Sequence, residues 1–444
     1  MQKWLARLKD LRRYPSLAAG LAIIAIFIGV SIYTPIAIPL SEGVRLWRAG
    51  AGVWDDNPQY AAPVWFDLFT RAKLPRTIIV RSPDAGTKSE TEIGDGMKQV
   101  EIVLPFSYPY DGFPKELKLF LETTYRDGEA TITASWNTRD GRAILLTDTH
   151  SITKSVYYVS QDEGLRGRLS GMIPHVGLFA DPAQADKPLK GDYSLVLTAE
   201  IATGSELDAK LVVYGQIHGL AGTDHLRRDI MVALLWGAPI ALIFGVAAAV
   251  GTQLATFALA AIGAWLGGKV DRAFQWITQV NLIIPLLPIL IMVGYLYSRS
   301  IWTMLGIVIA LNIFGPSILT YRAMFLQAKE APYIEAARAY GTGHTRMIFR
   351  YLMPRIAPTL LPQFVLIIPT FVFLEATLAV LGLGDPTLPT WGKVLEDAYS
   401  RGALLKGYYY WFLEPSLLLM ILGIGFSLIG YSLDRIFNPR LRSV

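Results

Sequence analysis

The stretch Tyr333–Pro358, YIEAARAYGTGHTRMIFRYLMPRIAP, lies between two long apolar segments of a 444-residue chain and resembles neither in texture. Pro332, just ahead of it, suits the first turn of a helix, where no N–H is required, and Glu335 sits near the positive helix end. Tyr333, Ala336, Ala337 and Tyr340 recur at helical spacing and predict a small-plus-aromatic face, with Glu335 and Arg338 pointing elsewhere. The paired alanines let a partner surface approach closely. Gly341 favours the left-handed turn that ends a helix, and Thr342 is placed to cap a second one. There Met347, Ile348, Tyr351 and Leu352 form an apolar stripe opposite Arg346 and Arg350, and Pro354 is expected to stop the helix. The reading is a helix, a swivel and a second helix held between apolar runs.

Those runs are of bilayer length. Charge-free segments occupy Tyr14–Ser41, Ile230–Gly268, Ala273–Ser298, Ser300–Tyr321 and Pro415–Leu433, and a sixth, Ile356–Gly384, is interrupted only by Glu375. With 52% hydrophobic residues the chain reads as a membrane protein. The Ile230 run is too long for a simple span, so a single crossing entered by a half-buried stretch near Trp236 and Pro239 is expected. That choice gives six spans and puts Lys3, Arg7, Lys9, Arg12, Arg13, the Lys269/Arg272 turn, the Tyr333 segment and the Arg435–Arg442 tail on one face, as the positive-inside rule requires. The first run is longer than a signal-peptide core, and Tyr33-Thr-Pro and Ile38-Pro match a cleavage site poorly, so it is read as an uncleaved span.

Between Ser41 and Asp229 the pattern changes to short strands. LKLFLETTYRDGEATITASWNTRDGRAILLTDT holds three runs separated by Asp127-Gly128 and Asp140-Gly141, which predicts a meander. TIIV, QVEIVLPF, YSLVLTAEIA and AKLVVYGQI bring the expected strands to about seven, a β-sandwich in outline. Gly164 to Gly191 reads as a long loop. This region carries 26 acidic against 21 basic residues, so the chain's net charge of +5 comes from the apolar part and does not indicate a nucleic-acid partner.

Several chemistries are excluded or fail. The chain has no cysteine, hence no disulfide, thiolate site or cysteine nucleophile. His150, His175, His218, His225 and His344 lack metal-ligand spacing, and no metal is expected. GAWLGGKV (Gly263–Val270) has Val270 where a phosphate loop needs Ser or Thr, and it ends an apolar run, so it is read as a span-to-turn junction. No catalytic residues are assigned. If ATP is used, another chain must bind it.

Glu335-Ala336-Ala337, then Gly341 after three intervening residues, and Pro354 resemble the EAA loop of permease subunits of ATP-binding-cassette importers. Tyr351 and Met353 stand where that pattern has Ile and Leu. GTDHLRRDI (Gly222–Ile230) resembles the Gly-Thr-Asp-x-x-Gly-Arg-Asp segment of dipeptide, oligopeptide and nickel permeases of the C-subunit type, with Arg227 in place of the glycine. EATLAVLGLGDPTLPTWG (Glu375–Gly392) and NPRLR (Asn438–Arg442) are similar to the same group. The resemblance covers the chain from about Gly222 to its end and implies a type I importer permease fold of six helices (residues 226–444 after a first span in 1–40) in a prokaryotic inner membrane; the β-rich residues 41–225 have no counterpart in it and, with both termini cytoplasmic by the charge pattern, are expected as an extracytoplasmic insertion. It implies a homologous permease subunit, two ATPase subunits that bind ATP and Mg, and an extracytoplasmic solute-binding protein as partners, with residues of about 328–356 as the coupling loop. Glu335, Ala336, Ala337, Gly341 and Pro354 would then make the ATPase coupling. No cofactor is expected on this chain.

Among groups within the spans, Glu375, Asn281 and Asn312 are candidates for the translocation path, with interhelical hydrogen bonding as the alternative for each. Asp385 and Trp391, near aromatics at Tyr408 to Trp411, are candidates for meeting the binding protein, or mark the interfacial belt. An ATP-independent channel or secondary transporter, and a membrane anchor for an adhesive β-domain, are the competing functions. The single ionisable Glu375 speaks against the first, and six spans against the second.

Overall fold

The computed structural model describes residues 14–50, 52–84, 86–94, 96–124, 131–149 and 156–437. The basic residues from Lys3 to Arg13, the Asp127-Gly128 turn, His150 and the Asn438–Arg442 tail lie outside these. The chain divides into a helical unit, Met1–Arg48 with Val232–Val444, and a second unit, Ala49–Met231.

The second unit is a sandwich of antiparallel sheets. One sheet is ordered β1 (Ile78–Arg81), β11 (Glu206–Tyr214), β4 (Glu116–Thr124), β7 (Val156–Tyr157); the other is β2 (Thr87–Gly94), β3 (Met97–Tyr108), β10 (Gly191–Ala202), β5 (Thr131–Asn137), β6 (Ala143–Thr149). Alternation along β3 sends Val100, Ile102, Leu104, Phe106 and Tyr108 inward, against Leu195, Leu197, Ala199 and Ile201 of its neighbour β10 and Leu207, Ala209, Leu211 and Val213 of the facing sheet. The meander does not form. Asp140-Gly141 closes a hairpin between β5 and β6, with Gly141 at φ +83°. β4 pairs with β11 and β7 in the opposite sheet, so the chain changes sheets between β4 and β5. Three consecutive strand-like runs fix local conformation, while pairing is decided by which apolar faces meet.

The expected loop from Gly164 to Gly191 is instead two short helices, α3 (Glu163–Arg168) and α4 (Pro174–Gly177), and a hairpin of β8 (Ala180–Asp181) with β9 (Gln184–Pro188). It is anchored by Leu165, Leu178 and Phe179, all fully buried. Strand β2, TKSETEIG, was invisible to hydrophobic alternation because every one of its residues is exposed.

In the helical unit α1 (Pro15–Ala37) is followed by α2 (Leu40–Arg48), and α5 (Ile230–Leu266) is one unbroken helix of 37 residues with Pro239 inside it. At 1.5 Å per residue α5 is about 55 Å long, well beyond a hydrocarbon core. Next come two broken pairs: α6 (Gly268–Ile283) and α7 (Leu286–Leu296) bent by 77°, then α8 (Ile301–Asn312) and α9 (Ser317–Lys329) bent by 44°. After α10 (Pro332–Ala339) a 40-residue helical run, α11 (His344–Leu383), precedes α12 (Trp391–Ser400) and α13 (Tyr409–Phe437). Among the described residues, four helices are long and apolar enough to cross a membrane, or six if each bent pair counts as one span.

Small residues let these helices touch. A Cβ on Gly237 of α5 would stand 2.1 Å from the Trp391 ring, so the indole lies directly on the helix backbone. Gly20 of α1 and Gly425 of α13 meet in the same way, with the Gly425 carbonyl 2.8 Å from where a Gly20 Cβ would be.

In the sandwich unit, Lys115 is largely buried, its ammonium donating to the Tyr60 carbonyl at 2.6 Å, and burial pushes its pKa down to about 8. The unfolded chain, with lysine near its usual value of about 10.4, holds the proton that the folded chain releases between these values, so stability rises with pH there. Thermal unfolding of the full chain in detergent from pH 7 to 10 should show the wild type gaining stability relative to Lys115→Met; parallel curves would contradict this.

Candidate functional site

Helix α10 starts with Pro332 in its first turn and carries Glu335 there, as its sequence leads one to expect. Its faces differ from expectation. Ile334 and Ala337 are buried in a cluster with Phe257, Ala261 and Trp265 of α5, Tyr321 and Phe325 of α9, and Met347 and Leu352 of α11. Tyr333, Glu335, Ala336 and Ala339 are exposed, and Tyr340 is 90% exposed. The anticipated face of Tyr333, Ala336, Ala337 and Tyr340 is therefore split. Ile334 is the one large aliphatic side chain of α10, and turning it inward takes Ala337, three residues on, with it.

Gly341 closes α10 at φ +71°, with Thr342 N donating to the Ala337 carbonyl at 3.2 Å and Gly341 N to the Arg338 carbonyl at 2.9 Å. These two bonds form a Schellman end. Thr342 does not cap the next helix; Gly343 holds that position without a side-chain bond. Nor does Pro354 stop it. The ladder widens to a π segment over Met347–Leu352, and Pro354 falls in the first turn of the α segment Met353–Leu378 that follows. The wide turn shifts the hydrogen-bond register just where proline has no N–H to offer.

Trp265, at the last turn of α5, gathers this loop. Its Nε1 donates to His344 Nδ1 at 3.0 Å, and the Arg338 guanidinium lies 5.0 Å from its ring centre. The Lys329 ammonium donates to the Ala264 and Trp265 carbonyls at 3.1 and 3.0 Å, satisfying acceptors at the end of α5 that have no intrahelical partner. Beside it Arg322 of α9 grips Asp271 of α6 through two bonds of 2.6 Å. Arg338, though exposed, thus lies against the Trp265 ring. The signal that was available was a tryptophan in GAWLGGKV; Gly267 and Gly268, at φ +64° and +54°, make the junction foreseen there.

Asn281 and Asn312 come together. Both line a hollow of about 180 Å³ at the two helix breaks, with Leu311, Gly315 and Pro316. Asn281 Nδ2 donates to the Leu311 carbonyl at 2.8 Å and the Phe314 carbonyl at 3.3 Å, both left without helical donors by the break between α8 and α9. Asn312 Nδ2 returns to the Val308 carbonyl of its own helix. Glu375 is elsewhere: buried in α11, it has the Thr390 hydroxyl as its hydrogen-bond partner and borders a much smaller hollow with Arg299 and Asp385.

Of the two candidates for meeting the binding protein, Trp391 is buried and Asp385 half-buried. Trp391 is 1% exposed, and its Nε1 donates to the Leu234 carbonyl at 2.9 Å. Asp385 receives the Ile301 N–H at 3.3 Å at the start of α8 and organises its own turn through Thr387. Pro389, Thr390 and Gly392 form a close-packed entry to α12 that apolar patterning does not reveal.

Within the sandwich unit, Arg227 adopts the left-handed backbone that the glycine of the related motif would take, φ +65°. That conformation costs a non-glycine residue roughly 1–2 kcal/mol. Its side chain offsets the cost: it pairs with Glu116, donates to the Asn57 carbonyl at 2.8 Å and stacks 4.5 Å from the Tyr214 ring centre. Neighbouring Asp224 accepts from both the backbone and the side chain of Arg228, at 2.9 and 2.5 Å.

These features define a multi-pass helical membrane protein with a β-rich unit and a packed loop between its later spans. Residues 253–443 match the family described as binding-protein-dependent transport system inner membrane component. The chain is 32% identical over 225 residues to the oligopeptide transport system permease protein OppC of Bacillus subtilis, covering 50% of this chain and 72% of that one. It is 28% identical over 224 residues to the dipeptide transport system permease protein DppC of the same organism, covering 50% and 68%. A DppC of Lactococcus lactis is 28% identical over 222 residues, covering 49% and 63%. The chain belongs to this family and is a permease subunit of a binding-protein-dependent importer of the ATP-binding-cassette class.

Removing the Trp265 indole takes away the seat of Arg338 and the partner of His344. Trp265→Ala should speed amide hydrogen exchange across 332–341 about tenfold, a loss of about 1.4 kcal/mol of local stability, and leave α13 unchanged. Unaltered exchange in α10 would show that the indole does not hold it.

Proposed function

We propose that the chain forms half of the translocation path of a peptide importer, working by alternating access in a prokaryotic inner membrane. In this reading it crosses six times, each bent pair serving as one span, with both termini and α10 cytoplasmic and residues 41–225 extracytoplasmic between the first span and the permease part, 226–444. A homologous permease completes the path, a solute-binding protein delivers the solute, and two ATPase subunits bind ATP and Mg. Oligopeptides and dipeptides, named in the relatives, are the proposed solute class.

The observation that carries this is the seating of α10. Ile334 and Ala337 bind it to the spans while Tyr333, Glu335, Ala336 and Tyr340 remain free for another chain. Ala337 thus fastens the helix instead of touching the ATPase, and the Gly341 end sets the angle at which the Tyr340 ring projects. Displacement of α10 by a closing ATPase reaches α5 through Trp265, and α9 through the shared core. The bent spans supply the moving parts, with Asn281 tying the break of one to the break of the next. Glu375, bonded to Thr390, is better suited to fixing α11 against α12 than to lining the path.

The complex purified from native membranes and reconstituted in liposomes with its binding protein should take up labelled short peptides only with ATP inside the vesicle compartment that faces the ATPases. Asn281→Leu should cut uptake at least tenfold while ATP hydrolysis continues, because it unlinks the breaks without touching α10. ATP-independent uptake, or full uptake by this variant, would contradict the reading.

A further inference from the structure

The sandwich unit carries an apolar tip that its core does not use. The 3₁₀ turn Val64–Leu68 and the residue after it present Trp65, Leu68 and Phe69, which are 39%, 83% and 80% exposed, and beside them stands Leu220 at 65%. The tip is built, not frayed. Trp65 Nε1 donates to the Leu220 carbonyl at 2.9 Å, and the Trp65 ring packs 4.8 Å from that of Phe66 and 6.1 Å from that of Phe69.

Its charges are predominantly basic, with one exposed acid, Asp111, accepting from Lys73 N at 2.7 Å. Arg71, Lys73 and Arg76 follow the tip and are all exposed. The acid of the tip segment, Asp67, is turned into its own loop: it accepts from Leu74 N at 3.1 Å and lies 3.9 Å from Arg76. Aromatic and aliphatic side chains projecting together beside Arg and Lys are the composition of a surface that sits at a membrane interface, rings at headgroup level and cations among the phosphates.

The chain itself supplies the partner. Leu220 precedes the start of the apolar helix α5 at Ile230 by ten residues, which span at most about 35 Å when fully extended. The tip is thus joined to the first apolar residues of α5 by a short length of chain.

We propose that Trp65, Leu68, Phe69 and Leu220 insert into the headgroup region of the bilayer, with Arg71 and Lys73 engaging anionic lipid. The tip is thereby a second, peripheral membrane contact of a unit already tethered at both ends. This stands apart from the importer reading and does not rest on it.

Because the chain has no cysteine, single labels are unambiguous. The full chain is prepared as Leu68→Cys, Phe69→Cys and, as reference, Glu92→Cys on the exposed strand β2, each carrying an environment-sensitive fluorophore, in nanodiscs of phosphatidylcholine with or without phosphatidylglycerol. Doxyl-labelled phospholipid should quench the labels at 68 and 69 at least threefold more than the label at 92, while acrylamide quenches mainly the latter. Arg71→Glu with Lys73→Glu should at least halve the lipid quenching in the anionic discs. Acrylamide quenching at 68 and 69 equal to that at 92 would overturn the proposal in favour of a solvated tip, and shielding from both quenchers would overturn it in favour of a protein partner.

Discussion

Backbone polar groups in an apolar medium must be satisfied by the protein itself, and the helical unit is organised by the places where this chain breaks that ladder. The break between α8 and α9 frees the Leu311 and Phe314 carbonyls, and Asn281 from α6 takes both. The end of α5 frees those of Ala264 and Trp265, and Lys329 from the end of α9 takes both. Each repair reaches across from a different helix. Broken backbone and interhelical contact are therefore the same feature, and the bends occur where neighbouring helices already hold one another.

This constraint explains why the loop after α9 is seated as it is. Lys329 is drawn to the end of α5 by carbonyls, Trp265 stands at that end, and Arg338 and His344 close on the indole from either side of the Gly341 turn. A loop joined to the spans only through its flanking helices would bend when pushed. Gripped through Trp265 and the Ile334 core, α10 is fastened to α5 and α9. The same logic appears in the sandwich unit, where a left-handed Arg227 is held by three contacts of its own side chain.

What was legible in the sequence followed from periodicity and punctuation. The strands of the sandwich core, the apolar helices, the Gly341 end of α10 and the Gly267/Gly268 junction all announce themselves through alternation, hydropathy or glycine. What escaped depended on partners far away in sequence. Nothing near Trp391 shows that Gly237, more than 150 residues earlier, leaves room for its ring. Nothing in EAA shows that Ile334 outweighs the alanines in choosing a face. The supposed meander failed because β4 found its partner in β11, some 80 residues away. Pro354 failed as a stop because a π segment absorbs it, and the register of a helix before a proline is set by the packing of Met347 and Leu352.

The central claim is that α10 offers one face to an ATPase and gives the other to its own spans. Single cysteines at Tyr340 and Ala337 in the otherwise cysteine-free chain, cross-linked with a short bifunctional reagent in native membranes, test this directly. Tyr340→Cys should form an adduct with an ATP-binding subunit whose yield changes when ATP is added, and Ala337→Cys should form none. An adduct at position 337 equal to that at 340, or no ATPase adduct at 340 with and without ATP, would contradict the account.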